Sequence, residues 1–157
     1  MRAKLGAEET LFASIERAQE AFGFTEDVSD EAIRHSAELP VDAIVGANRA
    51  GSPGMTIRSG TRDNNKVLFL LCRSMGEYLI NGMQPQQIIS GSRSARQKRN
   101  RAFAAEFLAP AALLRRRIRG YSVSLEEVEE LGVEFGVSGM VIAHQLENHR
   151  IAIVNAL

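Results

Sequence analysis

The chain has 157 residues, 45% of them hydrophobic and 24% charged, with nineteen basic and nineteen acidic side chains, no tryptophan and one cysteine. That composition excludes a disordered, collagen-like or disulfide-stapled protein, and the lone Cys72 excludes an internal disulfide and a cysteine-rich zinc site. No apolar run approaches the ~20 residues of a bilayer span and the N-terminus lacks a signal-peptide layout, so a cytoplasmic protein without a membrane partner is expected.

The first helix is predicted over Leu5–Gly23, where Leu11, Phe12, Ile15, Ala18 and Phe22 recur at three- and four-residue steps. A second, short helix starts near Ser29 and ends before Pro40. Val41–Gly46 and Met55–Arg58 read as the strands of a β-hairpin around a turn-rich loop. Val67–Ile80 is too long and too evenly apolar for a strand and reads as a buried helix, closed by Asn81 and Gly82. Met83–Ser92, with Pro85, reads as a loop. A further helix covers Ser94–Leu108, with Phe103, Ala104, Phe107 and Leu108 on one side. Pro110 either breaks it or opens the next, Ala111–Arg119. Ser124 caps a helix over Leu125–Phe135, with Glu127 placed for a capping box. Gly136 turns the chain, Ser138 caps a helix to about His149, and Ile151–Val154 ends it as a strand. The pattern is α+β and helix-dominated, with a small β-sheet and a C-terminal helix pair.

Charge is unevenly spread. Residues 91–120 carry nine basic side chains against Glu106 alone, whereas residues 121–157 carry six glutamates against Arg150. Arg96, Lys98, Arg101, Arg115, Arg116 and Arg117 are the candidate phosphate-binding set. The reading preferred over phosphate binding is that the band simply meets solvent or the acidic segment of its own chain, since charge runs usually serve solubility. The band lacks the interleaved aromatics that stack single-stranded bases.

Two stretches carry a resemblance. Val67-Leu-Phe-Leu-Leu-Cys-Arg-Ser-Met-Gly-Glu-Tyr-Leu79 and Ala102-Phe-Ala-Ala-Glu-Phe-Leu-Ala-Pro110 resemble the core of the ImmA/IrrE family of bacterial zinc metallopeptidases. Phe135-Gly-Val-Ser138 and Gln145-Leu-Glu-Asn-His149 are similar to that family's closing helix pair, and the resemblance covers roughly residues 41–149. It implies a zincin-like pair of core helices. In the family, one helix carries His-Glu-x-x-His, whose two histidines hold zinc while the glutamate acts as base on metal-bound water. Here the histidine positions are Arg73 and Glu77, the base position is Ser74, and the third ligand falls on Arg99 or, one residue away, Asn100. These positions are a degenerate site, so no catalytic residue, metal or cofactor is expected. Glu77 is expected within salt-bridge distance of Arg73 or Arg99, since arginine best satisfies a partly buried carboxylate.

The remaining candidates read as structural. Cys72 and Ser74 lack a histidine on their face and do not make nucleophiles. His35, His144 and His149 share no zinc-binding spacing. The closing helix pair matches a DNA-binding helix-turn-helix in its apolar pattern but presents glutamates, which phosphates repel. The reading is a degenerate metallopeptidase-like domain over 1–120 followed by a helix-turn-helix-like subdomain over 121–157. As the resemblance implies, its expected role is a non-catalytic binding or regulatory module for a repressor-type protein partner in transcriptional or mobile-element regulation. The alternatives are nucleic-acid binding through 93–119 and, remotely, a metallopeptidase with an unconventional site.

Overall fold

In the computed structural model, the residues described are 14–22, 41–47, 53–57, 63–81 and 87–155. The predicted helix at 29–39, His35, and most of the predicted first helix lie outside them. The described chain is α+β and falls into two compact units, residues 14–104 and residues 105–157. No described helix is long and apolar enough to cross a membrane.

The first unit contains α1 (Ile15–Phe22), β1 (Val41–Ala47), β2 (Pro53–Ile57), α2 (Asn64–Asn81), β3 (Gln87–Ser90) and the greater part of α3 (Ala95–Leu108). The three strands form an antiparallel sheet in the order β2-β1-β3. Alternation buries Val41, Ala43 and Val45 on β1 and Met55 and Ile57 on β2. The register of β1 against β3 slips between Val41 and Ala43, leaving Asp42 as the extra residue of a β-bulge. A bulge re-aims a side chain, and Asp42 takes part in the site described below.

Asp63 opens α2 by accepting from the backbone N–H groups of Asn65 and Lys66. Every residue from Leu70 to Glu77 is buried, which accounts for the evenly apolar run. A Cβ at Gly76 would fall 2.7 Å from Cδ1 of Phe103, so α2 and α3 approach through a position with no side chain. One expectation is corrected here. The predicted loop over 83–92 contains β3, whose buried Gln87 and Ile89 alternate with exposed Ile88. A strand of four residues, two of them polar, carries too little pattern to show in the sequence.

The second unit holds the end of α3, then α4 (Ala111–Arg117), β4 (Ser122–Ser124), α5 (Leu125–Phe135), α6 (Gly139–Asn148) and β5 (Ile153–Asn155). Pro110 is the N-cap of α4 rather than a residue of either helix, and α4 ends at Arg117 because Ile118 is extended. Ser124 and Glu127 form the full capping box of α5, and Gly136 closes that helix at φ 65°. Ser138 occupies the N-cap of α6, but its hydroxyl makes no capping bond. β4, unpredicted, pairs in parallel with β5. The buried side of this unit includes Leu114, Val128, Phe135, Ile142 and Leu146.

Candidate functional site

Of the positions that the resemblance aligns with metal ligands and base, Arg73, Ser74 and Glu77 lie buried on α2, with Arg73 and Glu77 one turn apart, and Arg99 lies on α3. Arg73 is 5% exposed, and Ser74 and Glu77 are fully buried. Burying a carboxylate is costly unless both oxygens are satisfied. Glu77 meets that condition within its own unit. Its Oε1 accepts from the Asn81 amide and its Oε2 from the Asn100 amide. Arg96 Nη1 lies 3.7 Å from Oε1 and Arg99 Nη2 lies 3.6 Å from Oε2. Both arginines are about half exposed, 47% and 46%, so they screen the carboxylate from the surface side while the two asparagines hold it from within. Asn81 also donates to Gln87 Oε1 at 3.1 Å, which links the cluster to the start of β3.

Arg73 does not pair with Glu77. Its Nη1 lies 3.7 Å from Oδ2 of the bulged Asp42, and its Nη2 donates to the Ser90 carbonyl at 2.6 Å and to Gln97 Oε1 at 2.7 Å. Burial, and next the charge of Arg101, lower the pKa of Arg73, while Asp42 opposes them.

Gln97, which sequence reasoning did not single out, organises this half of the site. It is 1% exposed. Its Nε2 donates to the Ile88 carbonyl at 2.9 Å and its Oε1 accepts from the Ser90 N–H at 3.2 Å. One carboxamide thus engages the residues flanking Ile89 as a neighbouring parallel strand would. Arg96 adds a bond to the Ile88 carbonyl at 3.1 Å. The outer edge of β3 is sealed by side chains of α2 and α3.

These residues do not fit zinc. A guanidinium, a hydroxyl and a carboxylate already held by amides and guanidiniums are not the histidine-rich donor set that zinc takes. No group of three or more His, Cys, Asp or Glu is gathered as a metal site among the described residues. The site is not fully satisfied internally, since Arg73 Nε, Ser74 Oγ and Asn100 Oδ1 are buried without a hydrogen-bond partner. Cys72 is buried beside Arg73.

The candidate phosphate-binding residues are divided between the units. On α3, Lys98 is exposed, Arg96 is committed to Ile88 and Glu77, and Arg101 donates to the Ser92 carbonyl at 2.9 Å. On α4, Arg115 donates to the His149 carbonyl at 3.1 Å, Arg117 pairs with Glu134 at 2.5 Å, and Arg116 is exposed. Part of the basic band therefore meets the acidic segment of its own chain.

Glu106 carries a role the sequence did not suggest. Its Oε2 accepts from Gln145 Nε2 at 3.0 Å and from the Ala111 N–H at 3.4 Å, and lies 3.4 Å from Nε2 of His149. This accounts for the single acid inside the basic band as a tie between the end of α3, α4 and α6. Comparison with protein-family models, with curated proteins and with solved structures finds no match.

Proposed function

We propose that the chain is a non-catalytic relative of the ImmA/IrrE metallopeptidases, acting in the cytoplasm as a binding or regulatory module for a protein partner of repressor type. The observation that carries this reading is the state of Glu77. At the position of a metal ligand stands a fully buried carboxylate whose two oxygens are held by Asn81, Asn100, Arg96 and Arg99. That arrangement ties α2 to α3 and leaves both Glu77 oxygens occupied rather than free for a metal. The meeting of α2 with α3 at Glu77, Asn100 and Arg99 is also what the resemblance implies, and the binding role is what that resemblance adds. A domain of this kind acts through its surface rather than through chemistry in a cleft.

The test has two arms. Protein purified without chelator and then loaded with zinc should hold far less than one zinc per chain, and should cleave neither denatured protein nor peptide mixtures. Affinity capture from the native host should recover a protein in fixed ratio to the chain. One zinc per chain, lost to a chelator together with a peptidase activity, would overturn the reading. The nucleic-acid alternative keeps one supporting observation, the exposed Arg93, Lys98 and Arg99 at the start of α3. It would be preferred if duplex DNA, rather than protein, were recovered.

A further inference from the structure

We infer that Arg96 and Arg99 form a guanidinium fork that takes a carboxylate of the partner protein, from an acidic segment with a large apolar residue beside its Asp or Glu. The inference rests on the protein-binding role proposed above and gives it a surface and a chemistry. Every residue involved belongs to the first unit.

Two positive charges meet a single negative one here. Between Glu77 and Glu106 the chain carries no acid, while Arg93, Arg96, Lys98, Arg99 and Arg101 fall in that interval. Arg96 Nη1 lies 3.7 Å from one oxygen of Glu77, and Arg99 Nη2 lies 3.6 Å from the other. N–H···O hydrogen bonds extend to ~3.2 Å, so these are charge contacts that orient the side chains without consuming their donors. The hydrogen bonds of the carboxylate come from Asn81 and Asn100 instead. A guanidinium has five N–H donors. Arg96 commits one to the Ile88 carbonyl, and Arg99 donates no hydrogen bond among the described residues. Both side chains are nearly half exposed, so a ligand reaches them from solvent.

Anchorage sets this pair apart from the other cations of α3. A long basic side chain loses rotamer freedom when it binds, and one already held against Glu77 has less to lose. Arg93 and Lys98 are exposed without such an anchor among the described residues. A planar fork suits a carboxylate or a phosphate equally, and the neighbouring surface decides between them. Ile88, whose carbonyl holds Arg96, is 45% exposed. Ile80, one turn beyond Glu77 on α2, is 49% exposed. Apolar side chains beside paired guanidiniums match an acidic, partly apolar peptide, whereas the phosphates and sugars of a nucleic-acid backbone have nothing to cover them. Recognition of acidic motifs by arginine clusters is an established mode of peptide binding.

The probe is a labelled peptide alternating leucine and glutamate, followed by fluorescence anisotropy and by the arginine Nε–Hε resonances of the isotopically labelled protein. Binding should shift the resonances of Arg96 and Arg99, and the matching leucine–glutamine peptide should bind at least about tenfold more weakly. The double variant Arg96→Lys with Arg99→Lys keeps the charge but removes the fork. It should bind the acidic peptide about tenfold more weakly while its circular dichroism is unaltered. If that variant folds poorly, the shifts on the unaltered protein still decide. Unmoved resonances, equal binding of the two peptides, or undiminished binding by the folded double variant would overturn the inference. So would duplex DNA that shifts the same two resonances and binds more tightly than the peptide. A captured host protein retained in full by the folded double variant would sink the fork while leaving the wider reading in place.

Discussion

A carboxylate inside a protein stabilises only through the bonds it accepts, and Glu77 accepts from two amides while two guanidiniums stand within 3.7 Å. Glu77→Gln keeps the shape but turns one acceptor into a donor. Asn100 can answer by rotating its amide, because its Oδ1 has no partner, yet the charge-assisted bonds are lost. We expect a destabilisation of about 1–3 kcal/mol, read as a lower urea midpoint at unchanged slope; an unchanged or higher midpoint would show that the buried charge is a burden and not an anchor. Arg150 gives the opposite sign. It occupies the left-handed region at φ 50°, and the bonds from Ile151 N–H to the Leu146 carbonyl and from Arg150 N–H to the Glu147 carbonyl form a Schellman motif, in which glycine is the usual residue. Arg150→Gly relieves that strain but adds freedom to the unfolded chain, so a net gain of about 0.5–1 kcal/mol is expected in thermal unfolding. At this scale Glu77 and Arg99 were legible in the sequence, because a helix fixes which residues share a face and the resemblance supplied the facing helix. The partner of Arg73 was not. Asp42 reaches it from a bulge, and a bulge is decided by how two strands register in space.

Elements with local signals were the ones the sequence declared. The capping box of Ser124 and Glu127, the glycine stop at Gly136 and the apolar length of α2 all act over a few residues, and each forms in the structure. β3 and β4 are defined by partners distant in the chain: β3 pairs with β1 across the whole of α2, and β4 pairs with β5 across a helix pair. Gln97 belongs to the same class, since a glutamine at a helix start gives no sign that it will complete a strand edge. Its importance is open to measurement. Gln97→Ala would leave the part-buried Ser90 N–H and one buried bond of Arg73 without an acceptor. Each orphaned group costs about 1–3 kcal/mol, so a loss of about 2–4 kcal/mol is expected by chemical denaturation. The opened edge should also raise concentration-dependent association in sedimentation. Gln97→Glu retains the acceptor for both groups and should recover most of the stability but not the bond to Ile88. If the two variants were equally mild, the edge would be closed by Arg96 and Arg73 without Gln97.

Over the whole molecule the formal charge is zero, but its distribution sets what the surface attracts. Six exposed or half-exposed cations are already engaged or opposed: Arg96 and Arg99 at Glu77, Arg101 at Ser92, Arg115 at His149, Arg117 at Glu134, and Arg150 among the glutamates of residues 121–157. Arg93, Lys98 and Arg119 have no such partner among the described residues, and Arg99 retains donors at the surface. Counted over both units, about four phosphates is therefore the most that the basic residues can neutralise without breaking their own bonds, and within the second unit α5 carries exposed Glu126, Glu127, Glu129 and Glu130, which repel phosphate. Release of counterions from four contacts implies a fall in affinity of about a hundredfold between 50 mM and 200 mM salt. Duplex DNA should thus bind weakly at low salt, with no preference among sequences, and should be released near physiological salt, as measured by fluorescence anisotropy on a labelled duplex. Reversing Arg115, Arg116 and Arg117 to glutamate should change this little, because Arg115 is tied to the His149 carbonyl and Arg117 to Glu134. A micromolar complex that persists at physiological salt and is abolished by that triple reversal would instead mean that the band gives up its internal bonds for phosphate, and the nucleic-acid reading would then displace the protein-binding one.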